Sequence, residues 1–155
     1  MSILSLPQIR DDEEWVLLVM ASARTAVAAS TRVPLDATKF KNDGSYDYYI
    51  TSIASEETSG GLMNLAIEIT DVTRKRNILA SQASLTTFGK PNPTATTQNN
   101  VVGLFTSNLD LDAAYRLPAD GSLAITLEEL GGAARTARVT IIGYQRMPKA
   151  PPPRP

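Results

Sequence analysis

Apolar residues recur at every second position in several short segments of this chain, and clusters of turn-forming residues separate those segments. In "LMNLAIEITDV", Leu65, Ile67 and Ile69 fall on one side of an extended backbone and Asn64, Ala66, Glu68 and Thr70 on the other, which predicts a half-buried strand. "YDYYITSIA" is dense in aromatic and β-branched residues and predicts a strand with both faces partly covered: Tyr46, Tyr48, Ile50 and Ser52 on one, Asp47, Tyr49, Thr51 and Ile53 on the other. "LAITLEELGG" places Leu123, Ile125 and Leu127 inward against Thr126 and Glu128, and Arg138 to Arg146 forms a last strand. Weaker strand character appears around Leu85 to Phe88 and in "VVGLF".

Turn chemistry punctuates these runs. "KNDGS" and "LPADGS" supply Asn, Asp and Gly, which tolerate positive φ, and the Gly131-Gly132 pair reads as a hairpin turn between two strands. Gly89 to Asn100 lacks periodicity, contains two prolines and is expected to be a surface loop. Asp11 to Ser30 admits two readings. Acidic residues ahead of an alanine-rich stretch suit a helix start, whereas "WVLLVMA" is short, continuous and rich in β-formers. Strands at roughly ten-residue spacing, joined by turns, suggest an antiparallel sandwich or barrel.

Composition narrows the chemistry. A 155-residue chain with 43% hydrophobic and 20% charged residues suits one globular domain without disulfide or metal staples. The balance of 15 basic and 16 acidic residues provides no broad basic face for nucleic acid. Cysteine and histidine are both absent, which removes thiolate chemistry, histidine ligands and the usual serine–histidine relay. The start of the chain does not read as a signal peptide, and the longest apolar run, Trp15 to Ala21, is too short to cross a bilayer. A soluble protein without redox chemistry is expected.

The remaining candidates are modest. "DDEE", Asp11 to Glu14, lacks the loop and glycine that wrap a hard cation and reads as solvated surface. Asp110 and Asp112 lie two apart, the spacing that sets two carboxylates on one side of a strand, but glycosidase pairs come from distant parts of a chain. The tyrosines of "SYDYY" offer stacking surfaces for a sugar, although most are expected in the core. Arg74, Lys75 and Arg76 form a basic triplet suited to an acidic neighbour in an assembly. After Met147 and Pro148 the chain becomes "KAPPPRP"; Pro151, Pro152, Pro153, Arg154 and Pro155 favour polyproline II and an outward partner. No catalytic residue, cofactor or metal is assigned.

"AYRLPADGSLAITLEELGGAARTARVTIIGYQR" resembles the C-terminal half of small β-sandwich virion proteins of tailed bacteriophages. Tyr115, Leu117, Pro118, Gly121 and Ser122 match their turn, and Val139, Ile141, Gly143 and Tyr144 match their closing strand. Asn42, Asp43, Tyr46, Ile67 and Asp71 match an earlier strand pair, so that the resemblance covers about residues 38–146. It favours the strand reading of Trp15 to Ala21 and implies an all-β, single antiparallel, jelly-roll-like sandwich over residues 15–147, with arms at 1–14 and 148–155. It further implies a non-enzymatic virion protein of the capsid decoration or cement type. Such a protein binds the major capsid protein or other virion proteins as a homo-oligomer, and contacts neither nucleic acid nor membrane. The partner-binding residues would be Arg74, Lys75, Arg76, Met147, Pro148, Pro151, Pro152, Pro153, Arg154 and Pro155. The alternative is a tail or spike module that binds a receptor or carbohydrate through Tyr46, Tyr48, Tyr49 and Tyr115.

Overall fold

The computed structural model describes residues 8–58, 64–78, 83–84, 98–103 and 115–153, with side chains for all but 83–84 and 98–103. The chain is an antiparallel β-sandwich, as the period-2 pattern predicts. Eleven strands are described: β1 (Glu13–Ala21), β2 (Thr25–Val27), β3 (Arg32–Pro34), β4 (Tyr48–Glu57), β5 (Leu65–Asp71), β6 (Arg76–Asn77), β7 (Ala83–Ser84), β8 (Gln98–Gly103), β9 (Tyr115–Leu117), β10 (Leu123–Glu129) and β11 (Arg135–Pro148). One turn of 3-10 helix, Ala37–Phe40, is capped by the Asp36 carboxylate, which accepts from the Thr38 amide at 3.0 Å.

The first sheet runs β1–β11–β4–β8. β2 continues β1 along the same edge of β11, and β9 continues β8 along β4. The second sheet runs β3–β10–β5–β6, with β7 continuing β6 along β5. Taken in chain order, these are eight sheet positions: β1/β2, β3, β4, β5, β6/β7, β8/β9, β10 and β11. The first sheet then reads 1-8-3-6 and the second 2-7-4-5. Leu123, Ile125 and Leu127 of β10 and Leu65, Ile67 and Ile69 of β5 pack against Ile50, Ile53, Val139 and Ile141 of the first sheet, all buried in one core.

"WVLLVMA" is strand, not helix. β1 pairs with β11 from Glu13↔Pro148 to Ala21↔Thr140 without a register break, burying Met20 and packing Leu18 on the core. Expected and observed structure differ in four places. The two faces of β4 exchange roles at Thr51. Tyr48 and Ile50 point inward, as do Ile53, Ser55 and Glu57, because one extra residue bulges between Ile50↔Gly143 and Ser52↔Ile142. Gly131-Gly132 does not make a hairpin: β10 and β11 lie in opposite sheets, so the turn arches across the core. The "YDYYITSI" and "LAIEITD" strands likewise face each other rather than pair. Gln98–Asn100 belongs to β8 rather than to a loop, whereas Leu85 to Phe88 and the rest of 89–97 lie outside the described residues.

Two polar devices close the sandwich. The buried Asn42 side chain donates to the carbonyls of Tyr46 at 2.8 Å and Pro118 at 3.0 Å and accepts from Gln145 Nε2 at 3.1 Å. Its backbone amide donates to Gly121 at 2.8 Å, so one residue clips the "KNDGS" and "LPADGS" turns to the closing strand. Buried Glu129 accepts from the amides of Ser30, Gly131 and Gly132 at 3.0, 2.7 and 2.8 Å, and the Ser30 amide, with the two glycine amides, holds its carboxyl below the usual range.

Gly143 sits opposite the bulge. A Cβ there would lie 2.2 Å from the Tyr49 carbonyl oxygen and 2.9 Å from the Tyr48 ring. Since the obstacle includes backbone, Gly143→Ala is expected to lower stability by about 3 kcal/mol or more. Gly132, at φ 76 with open space around it, serves as the control, and Gly132→Ala should cost only about 1 kcal/mol from backbone strain. Urea unfolding of the two variants checks the contrast; equal losses would refute the packing account.

Candidate functional site

The basic triplet stands on a buried carboxylate. β5 delivers Asp71 in phase with its inward residues Leu65, Ile67 and Ile69, and the chain then turns through Val72–Lys75 and returns as β6, pairing Asp71↔Arg76. Lys75 takes φ 52 at this turn. Fully buried, Asp71 accepts from the Arg74 amide at 3.0 Å, from Arg74 Nη1 at 3.2 Å and from the Tyr115 hydroxyl at 2.6 Å. Burial alone would push its carboxyl up. The Tyr115 hydroxyl, the Arg74 amide and the Arg74 charge together outweigh that and hold it below the ordinary value.

Tyr115, from β9 in the opposite sheet, carries both arginines. The guanidinium carbons of Arg74 and Arg76 each lie 5.5 Å from its ring centroid, and Arg76 Nε donates to its hydroxyl at 3.4 Å. The cluster therefore bridges the two sheets with a neutralised interior and an exposed positive rim at Arg74, Lys75 and Arg76. Its chemistry is that of a contact surface. It offers fixed cations to carboxylates or other anions of a partner, while its carboxylate, Asp71, is buried and bonded to Arg74 and Tyr115.

The two groups of partner-binding candidates lie at the same end of the sandwich. Arg74 Nη1 donates to the Arg116 carbonyl, Arg116 Nε donates to Asp47 at 2.7 Å, and the Asp47 carbonyl accepts from the Arg146 amide at 3.4 Å. This chain of contacts leads from the triplet to the root of the proline-rich arm. Met147 and Pro148 are the last residues of β11, opposite Glu14 and Glu13, and are part of the sheet. Lys149 donates its amide to the Asp12 carbonyl at 2.9 Å, after which Pro151, Pro152 and Pro153 are exposed. Arg154 and Pro155 lie outside the described residues.

The other candidates fare differently. Tyr48, Tyr49 and Tyr115 are buried, which leaves Tyr46, 39% exposed, as the stacking residue of that set. Asp110 and Asp112 lie outside the described residues, and among the described residues no group of acidic side chains is placed to hold a metal ion. Asp11 and Asp12 form the turn that leads into β1, and Glu13 pairs with Arg146 at 3.7 Å. Residue type and spacing single out Arg74–Arg76, but they miss Asp71, Asp47 and Arg116 as supports; only the crossing of sheets brings Tyr115, 44 residues away in sequence, onto Asp71.

No protein-family model matches the chain, and no curated protein matches it. Solved structures with partial likeness come from virus particles. A Nora virus structure is 13% identical, covered over 66% of its chain by 96% of this one, with a TM-score of 0.35. A structure of infectious bursal disease virus, Gt strain, is 9% identical, covered over 41% of its chain by 90% of this one, at 0.34. The chain spans less than two thirds of either, and likenesses this slight carry no argument.

The Asp71 cluster makes acid sensitivity testable. Its folded pKa lies below the unfolded value of about 3.9, so its stabilising contribution is present above that pH and is lost as pH falls through the folded pKa. Asp71→Asn is expected to cost about 2–3 kcal/mol at neutral pH. It should also flatten the fall in melting temperature below about pH 4. A variant that melts with the same pH profile as the parent would show that Asp71 does not carry this dependence.

Proposed function

We propose that this chain is a non-enzymatic structural protein of a virion. The observation that carries the reading is the strand order, 1-8-3-6 facing 2-7-4-5. In that order successive strands alternate between sheets except at the paired β5 and β6, and the last strand lies inside the first sheet beside the first strand, the order expected of an interlocked Greek-key jelly roll. Viral capsid domains use that architecture, as do lectin domains and cupins. Cupin chemistry has nothing to stand on without histidine. The aromatic lectin reading loses most of its residues to the core.

Within that class the finer reading is a capsid decoration or cement protein of a tailed phage. It binds the major capsid protein at the end where the basic triplet and the arm emerge together, and it stabilises the lattice. Repetition over a symmetric shell allows each contact to be modest, which fits a site made of three cations and a stiff proline segment. A polyproline arm loses little conformational entropy on docking, so it adds contact at low ordering cost.

The reading is tested by co-sedimentation of the purified protein with capsids of the phage that carries it. Deleting residues 150–155, which leaves the β11 pairing intact, and replacing Lys75 and Arg76 with Glu are each expected to weaken binding about tenfold. Quantitative mass spectrometry of particles should give copies on the order of hundreds for a lattice protein. Absence from the particle would reject the virion reading. A dozen copies or fewer would reject decoration in favour of a vertex or tail position.

A further inference from the structure

The outer faces of the two sheets differ in chemistry. That of the second sheet is polar: Arg32 bonds Glu68 at 2.9 Å and lies 3.7 Å from Glu128, and Thr70 bonds Asn77 at 2.8 Å. The outer face of the first sheet carries Trp15, Leu17 and Val19 of β1 beside Tyr144 and Ile142 of β11. Leu17 and Val19 are 57% and 51% exposed, and the Trp15 ring stands edge-on to Tyr49 at 5.2 Å.

That apolar row lies on a sheet edge. Among the described residues, β1 pairs with β11 alone. Ser22 donates its amide to Val139 and Asp12 accepts from Lys149, so the even-numbered residues of this strand direct their backbone groups toward β11. Trp15, Leu17, Val19 and Ala21 therefore present N–H and C=O groups outward. Sheet edges are normally defended by shortness, proline, a bulge or an inward charge. β3, the edge of the other sheet, is three residues long, ends in Pro34 and carries Arg32. β1 runs nine residues with no proline and no register break.

We propose that β1 is a self-association strand, pairing antiparallel with β1 of a second copy to make one continuous sheet. Charge selects this occupant. Exposed Asp11, Asp12 and Glu14 lie at one end of the strand, and Arg24, which pairs with Glu56 at 2.7 Å yet keeps its side chain 59% exposed, lies just beyond the other, so an antiparallel copy sets acid against base at both ends. Pairing about Leu18 places Asp12 opposite Arg24 of the second copy, Leu17 opposite Val19 and Trp15 opposite Ala21. The outward backbone groups and the apolar row are satisfied by one twofold contact.

Sedimentation velocity over a concentration series on the full chain tests this, with the emission of Trp15, the sole tryptophan, as a second readout. A concentration-dependent dimer with a blue-shifted Trp15 is expected. Leu17→Lys, at an exposed position and checked by its melting curve, should weaken the dimer at least tenfold. Asp12→Arg and Arg24→Glu should each weaken it, and the double variant should restore it. A monomer at all concentrations, or a dimer indifferent to Leu17→Lys, overturns the proposal. Failure of the double variant to restore pairing overturns the antiparallel match. Capsid binding by a strictly monomeric protein would leave the virion reading standing and this one refuted.

Discussion

The first sheet depends on one side chain lying flat across one glycine. Tyr48 leaves β4 toward the core, passes over Gly143 of β11 and donates its hydroxyl to the Leu18 carbonyl of β1 at 2.8 Å. A single residue thus ties three strands from the inside. Burial pushes its phenol above its ordinary pKa, so it remains a donor throughout the normal range. The contact requires both the missing Cβ at position 143 and the bulge at Thr51, whose hydroxyl donates to the Ile142 carbonyl at 3.1 Å. The bulge also resets the phase of β4, and without that reset Ile53 would face solvent whenever Ile50 faced the core.

At the ends of the sandwich, buried carboxylates do what hydrophobic packing cannot. Backbone amides in a sharp arch point inward with no strand to receive them, and an isolated buried donor is costly. Glu129 receives two of them at the β10–β11 arch and a third from Ser30 in the β2–β3 turn. Asp71 receives the Arg74 amide and the Tyr115 hydroxyl at the β5–β6 turn. The Asp71 site leaves exposed cations at its rim, beside the root of the proline-rich arm. The interior requirement of the turn therefore produces the exterior chemistry that the assembly reading uses.

The molecule offers partners three kinds of surface and no reactive centre among its described residues. One end presents fixed cations and a stiff arm, one sheet face is apolar and borders the edge strand β1, and the opposite face is covered by its own ion pairs. A scaffold with separate contact surfaces can engage a foreign lattice at its end and another copy of itself along its side.

The elements that alternation made legible were those with one face buried. β5 and β10 follow the faces expected for Leu65–Ile69 and Leu123–Leu127. The basic triplet was visible as three adjacent cations, though its supports were not, because nothing local links Asp71 to Tyr115 or Arg116 to Asp47. Gly131-Gly132 looked the same as an arch and as a hairpin, since turn residues report positive φ and not which sheet the next strand joins. The sequence by itself determined the all-β class, the inward residues of the regular strands and the exclusion of histidine and cysteine chemistry. These follow from residue identity and a period of two. Only the tertiary structure decided which strands pair, where β4 changes phase and which charges converge, because those depend on backbone approaches between residues far apart in the chain.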